Sequence, residues 1–136
     1  MQLTENFGFL ICAVTADTKE KALEAGRHFI WRMGPTLRAP SEFMSPVGMR
    51  TRAGAKFALR ARPRSLASMS YEELLEANLI IAGTPDEVAD RFALVHRELG
   101  VGHLLLEAQE SRMDHPTTMR SIELMGSKVI PAVATL

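Results

Sequence analysis

Three groups of side chains in this sequence have types and spacings suited to chemistry. Between Arg38 and Arg64 stand seven basic residues (Arg38, Arg50, Arg52, Lys56, Arg60, Arg62 and Arg64) against one acid, Glu42. Guanidinium forks match phosphate and carboxylate oxygens, so the run reads either as a grip for an oxyanion or as a solvated loop. Glu107 and Gln109 are two residues apart in an extended apolar run, which places both on one face of a strand. Turned inward they reach a bound ligand; turned outward they cover the last helix. Trp31, the only tryptophan, stands beside Arg32 near the end of a helical pattern. It offers a flat wall for an aromatic cofactor, or packs between helix and sheet.

Other chemistries lack local support. His28, His96, His103 and His115 show no metal-ligand spacing and read as surface or structural residues. Cys12 is the single cysteine, so no disulfide framework forms within one chain. Gly100-Val-Gly102 precedes a strand, whereas a dinucleotide fingerprint follows one. Neither a nucleophile elbow nor a P-loop is present. The 136 residues suit one domain, expected over 1–136, and sixteen basic and sixteen acidic residues cancel. With only Phe43 and Phe57 to stack on bases near the basic run, nucleic acid is not an expected partner. The longest apolar stretch, Phe7 to Ala16, is about half the roughly 20 residues a membrane span requires. A cytoplasmic protein without a membrane partner is expected.

These groups are positioned by alternating strands and helices. Phe7 to Thr15 reads as a strand covered on both faces, and Asp17 or Thr18 caps a helix that ends at Gly34-Pro35. Residues 35–69 hold four prolines and no sustained periodicity, and form a long irregular insertion of the kind that serves as a lid. Ser70-Tyr-Glu-Glu73 and Thr84-Pro-Asp-Glu87 are capping boxes. Between and after them, Leu79–Ala82 and Val101–Ala108 read as buried strands. Val88, Phe92, Val95 and Leu99 form the stripe of the intervening helix, which Gly100 stops. Pro116 opens a last helix with Met119, Ile122, Met125, Val129 and Ile130 expected inward, until Pro131 ends or kinks it. The result is an α/β domain with a parallel sheet, in segments 1–34, 35–69 and 70–136. Chemistry in such sheets sits at the C-terminal strand ends, here Val14–Asp17, Ala82–Thr84 and Glu107–Gln109.

From Glu76 onward the sequence resembles the C-terminal end of luciferase-like flavin-dependent monooxygenases. The resemblance rests on Ile81-Ala-Gly-Thr-Pro-Asp-Glu-Val88, the strand from Gly100 to Leu106, and Ser121-Ile-Glu-Leu-Met125 followed by Val129-Ile-Pro131. Upstream, Leu10 to Trp31 is similar to the family's sixth strand and helix, and Phe43-Met-Ser-Pro-Val-Gly48 to its lid sequence. The resemblance implies strands six to eight of a TIM (β/α)8 barrel, with residues 35–69 as the lid. It further implies FMN as cofactor, a small organic substrate and O2, and a flavin reductase as partner. Trp31 falls where the flavin cavity is lined, and Phe43, Met44, Pro46 and Gly48 fall in the lid; Glu107 and Gln109 are added from barrel geometry. The family's main phosphate contacts and its usual catalytic histidine lie in earlier strands, so no catalytic residue is carried over. A partial barrel exposes apolar surface, from which a homo-oligomer or a complementary barrel half is expected. The alternative is a non-catalytic α/β scaffold or binding subunit derived from the same fold.

Overall fold

The computed structural model describes residues 7–33 and 68–134. In chain order these form β1 (Gly8–Thr15), α1 (Lys19–Gly26), a tight turn over Arg27–Phe29 and α2 (Ile30–Met33). After the undescribed stretch come α3 (Tyr71–Glu76), β2 (Ile80–Gly83), α4 (Pro85–Leu99), β3 (His103–Glu107), α5 (His115–Leu124), a π-turn (Met125–Val129) and α6 (Ile130–Val133). The expected insertion, with Phe43, Met44, Pro46, Gly48 and the basic run, lies outside the described residues except at Ser68 and Met69.

Local chemistry sets the element ends. Both capping boxes form: the Ser70 hydroxyl accepts from the Glu73 N–H while Glu73 accepts from the Ser70 N–H, and Thr84 and Glu87 do the same. Pro85 opens α4, where a missing N–H costs nothing. Gly100 closes it in the left-handed region at φ 62°, which glycine adopts without a β-carbon penalty. Asp114 caps α5, which begins at His115, one residue earlier than the proline that marks this helix in the sequence.

The three strands among the described residues are parallel, in the order β2-β1-β3. Cys12 to Thr15 pair with Ile80 to Gly83, and Gly8 to Cys12 pair with His103 to Glu107. Alternate residues of β1 point to opposite faces, and both faces are covered. Ile11 and Ala13 pack with Ile81, Val88, Phe92, Val95, Met125 and Val129 beneath α4 and the π-turn. Cys12 and Val14 pack with Ala25, Phe29, Tyr71, Leu74 and Ile80 beneath α1 and α3. Burying each large apolar side chain contributes about 1.5–3 kcal/mol, so the two layers carry the fold.

This strand order differs from the succession expected for three neighbouring barrel staves. Consecutive barrel strands lie side by side, with helices only on the outside. Here the chain steps from β1 to one side and then back across it to the other. α1 packs on one face of β1 and α4 on the other, as helices do about an open doubly wound sheet. A central strand apolar on both sides is satisfied by helices on both.

Three burial expectations are corrected. Among the described residues β3 is covered on one face: Leu104 and Leu106 join the α4 layer, while His103 and Leu105 are exposed. Leu99 lies outside the α4 stripe and is exposed. In α5 and beyond, Thr118, Ser121, Leu124, Met125 and Val129 are buried, whereas Met119, Ile122 and Ile130 are exposed. Ser121 takes the inward position because its hydroxyl accepts from the Thr15 N–H at 3.0 Å, a bond that a larger apolar residue could not make. Pro131 does not end the helix. It lacks an N–H and crowds the preceding turn, and the π-turn lies directly before it, with α6 continuing to Val133.

Candidate functional site: a polar cleft at the carboxyl end of the sheet

β1 runs out into Ala16 and Asp17 and turns into α1 on one face. β3 leads through residues 108–114 into α5 and the π-turn, which carry Met125 and Val129 into the opposite layer. Where neighbouring strands send their connections to opposite faces, a crevice opens beyond their carboxyl ends. A cleft of about 450 Å3 lies there, lined on one side by Lys21, Glu24, Ala25 and His28 of the α1 region, and on the other by Met113, Asp114, Pro116, Thr117 and Arg120. Its size falls within the roughly 300–1,000 Å3 range of small-molecule sites.

Each wall is fixed locally. Lys21, Glu24 and His28 recur at helical spacing and so share one face of the chain after β1. Opposite, Glu110 folds the connection after β3: its carboxylate accepts from the Ser111 hydroxyl at 2.8 Å and the Arg112 N–H at 2.9 Å. Burial pushes the Glu110 carboxyl up, but these hydrogen bonds outweigh it and hold it below the ordinary value. The Glu110 carbonyl then accepts from Met113, which tucks into the α1 layer and places Asp114 at the start of α5. Asp114 accepts from the Thr117 N–H and hydroxyl at 2.9 and 2.8 Å, and the N–H bond is the main cause of its lowered pKa.

Arg120 bridges the two walls. Its guanidinium donates to both Asp17 oxygens, at 3.0 and 2.6 Å, and to Glu123 at 2.7 Å. The Arg120 fork is the main cause holding Asp17 below the usual carboxylate range. With Asp17 and Asp114 both engaged, the side chains of Lys21, Glu24 and His28 line the cleft without a hydrogen bond or ion pair among the described residues. The Lys21 ammonium and the His28 ring N–H, beside a helix N-terminus, suit an oxyanion, with Glu24 available to accept from a hydroxyl or amine on the same ligand.

The residues singled out from sequence take other positions. Trp31 lies in α2, 39% exposed, with the Arg112 guanidinium 4.1 Å from its ring centre, and does not line this cleft. Glu107 ends β3, half-buried, and accepts from the Cys12 thiol across the β1–β3 pair at 4.0 Å. Gln109 is exposed beyond the strand. Sequence reasoning pointed to these strand ends but not to Lys21, His28, Asp114 and Arg120 of the cleft. The available signal was the common helical face of Lys21, Glu24 and His28; its partner surface depends on a contact between residues about a hundred positions apart.

No helix among the described residues is long and apolar enough to cross a membrane. No family model and no curated protein matches the chain. Among solved structures, its fold is similar to the oxygenating constituent of 3,6-diketocamphane monooxygenase from the CAM plasmid of Pseudomonas putida, a type II Baeyer–Villiger monooxygenase in complex with FMN. The TM-score is 0.55 and the identity 23%, over 96% of this chain and 34% of that one. The chain therefore spans about a third of that protein's length, and the likeness is one of fold.

Proposed function

We propose that this chain is the C-terminal portion of a luciferase-like FMN-dependent monooxygenase, which oxidises a small organic substrate with O2 and reduced flavin delivered by a separate flavin reductase. The observation that carries this reading is the fold likeness, over nearly the whole chain, to an FMN-bound oxygenating component. Reduced flavin, when bound, supplies the electrons with which oxygen is activated. In the cleft at the sheet's carboxyl end, Lys21 and His28 fit the phosphate end of such a cofactor, and Arg120 holds the two walls together. Trp31 is proposed as a wall of the flavin cavity, Glu107 and Gln109 as polar contacts, and Phe43, Met44, Pro46 and Gly48 as part of a lid that excludes water. A complete barrel would come from a complementary half, with β3 leaving β1 to pair beside β2.

One structural observation favours the second reading, a non-catalytic scaffold or binding subunit derived from that fold. Helices cover both faces of β1, so the strand that would line a barrel interior is already packed.

Titration of the full chain with oxidised and, anaerobically, reduced FMN separates the two. The flavin reading expects saturable changes in flavin absorbance and fluorescence that weaken in Lys21→Ala and in Trp31→Ala. Absence of saturation with either redox form would remove FMN binding by this chain and leave the scaffold.

A further inference from the structure

Thr15 ends β1 with its side chain on the α4 face, in phase with Ile11 and Ala13, and is 1% exposed. Its hydroxyl oxygen is buried without a hydrogen-bond partner among the described residues. A hydroxyl carries one proton to donate and two lone pairs to accept with, and burying it with none of them used costs the whole of its hydration. Across from the end of β1, α5 turns Thr118 and Ser121 inward. The Thr118 hydroxyl donates to the Asp114 carbonyl at 3.0 Å, and in the π-turn the Ser127 hydroxyl donates in the same way to the Glu123 carbonyl at 2.6 Å. Ser121 behaves differently. Its oxygen accepts from the Thr15 N–H at 3.0 Å, and its proton goes to no group among the described residues. Two buried hydroxyls on neighbouring elements, joined by one main-chain bond, therefore keep an unused donor at Ser121 and an unused donor and acceptor at Thr15.

We infer that a single water molecule is bound inside the protein between β1 and α5, accepting from the Ser121 hydroxyl and hydrogen-bonded to the Thr15 hydroxyl. This stands on the two hydroxyls alone and holds whether or not the chain binds flavin. Water is the ligand that the chemistry selects. Ser121 requires an acceptor, and Thr15 requires a group that donates or accepts, on a face otherwise built from Ile11, Ala13, Ile81 and Val88. Buried polar groups of this kind are commonly satisfied by an internal water with two to four hydrogen bonds. An ion does not fit, because two neutral hydroxyls do not offset the cost of taking a charge out of bulk solvent. The site also has a place in the architecture of the cleft. Ser121 follows Arg120, whose guanidinium donates to Asp17, two residues beyond Thr15. The same two segments are thus joined twice, once by charge at the cleft and once by hydroxyls and water beneath it. The buried junction sets how far α5 stands from the end of β1, and with it the spacing of the cleft walls.

Magnetic relaxation dispersion of the solvent oxygen tests this on the full chain, because it counts long-lived internal waters and does not respond to hydroxyl protons. Thr15→Val replaces the hydroxyl by a methyl of nearly the same shape. It is expected to lose one long-lived water per chain relative to the wild type, and to unfold at a lower denaturant concentration. Thr15→Ser keeps the hydroxyl and is expected to keep the water. Circular dichroism checks that each variant is folded. An equal dispersion amplitude in wild type and Thr15→Val would overturn the proposal, and a Thr15→Val protein that also unfolds at higher denaturant would show that the Thr15 hydroxyl is buried with no partner at all. Should Thr15→Val not fold, a high-resolution crystal structure of the wild-type chain decides. Solvent density within hydrogen-bond distance of both hydroxyls supports the water, and absence of that density, or a Thr15 hydroxyl turned directly onto Ser121 or a carbonyl, overturns it.

Discussion

β2 and β3 both pair parallel with β1, one on each side, yet Ile80 and Ile81 of β2 are buried whereas His103 and Leu105 of β3 are exposed. The β2 side is sealed from both directions. α1 and α3 lie over Ile80, and α4 lies over Ile81. Lys19 at the start of α1 reaches Glu87 in the first turn of α4 at 2.6 Å, and Glu87 also accepts from the Thr84 N–H, so the two connections are joined. Among the described residues the β3 side has one layer, supplied by α4 and the π-turn, and Leu10 and Leu105 on its other face are exposed. Parallel pairing by itself therefore does not complete a strand's environment. The crossover helices do, and among the described residues β3 receives one of the two layers that β2 has.

Substitutions on the two sides should separate them by size of effect. Phe92, 2% exposed, anchors the α4 layer, and Phe92→Ala is expected to cost about 3–5 kcal/mol in denaturant unfolding through lost burial and a residual cavity. A cost as small as that of a surface change would mean that the α4 layer is not the tight core described here.

Gly26→Ala tests the opposite layer by overfilling it. A β-carbon there meets the Tyr71 hydroxyl and the Ala82 methyl, so a cost of about 1–3 kcal/mol is expected from displaced packing. A stabilised Gly26→Ala protein, the ordinary outcome for glycine in a helix, would show that α1 stands further from β2 and Tyr71.

Tyr71 gives a pH-dependent reading of the same layer. It is the only tyrosine, and its hydroxyl donates to the Leu23 carbonyl at 2.7 Å. Burial pushes the phenol up to about 12. Because the folded value exceeds that of the unfolded chain, this group's stabilising contribution is complete below about pH 10 and is lost as pH rises through about 12. Tyrosinate absorbance should therefore titrate near pH 12 in the folded protein and near pH 10 in denaturant, and Tyr71→Phe should remove that alkaline loss of stability. Coincident folded and denatured titrations would place the phenol in water.

The smallest effect is expected on the β3 side. Leu105→Ser at 53% exposure should change the stability of the folded monomer by less than about 0.5 kcal/mol. A loss comparable to that in Phe92→Ala would mean that this face of β3 is covered, and would erase the contrast between the two edges.

Much of the molecule could be read from short stretches of its sequence. The two capping boxes, the proline at the start of α4, the glycine that stops it and the order of strands and helices all depend on groups a few residues apart, whose hydrogen bonds form within one turn. The α/β class follows from that order. The candidate site was legible as a location, the carboxyl ends of the strands, but not as a set of residues. Trp31, Glu107 and Gln109 do not line the cleft, and Arg120 enters it only because α5 lies across the end of β1. The same holds for the strand order β2-β1-β3, the inward turn of Ser121 and the outward turn of Met119 and Ile122. A strand apolar on both sides specifies that two layers cover it, not which helix supplies each layer or which strand lies beside it. Those choices belong to pairings and crossovers between distant segments, and only the tertiary structure makes them.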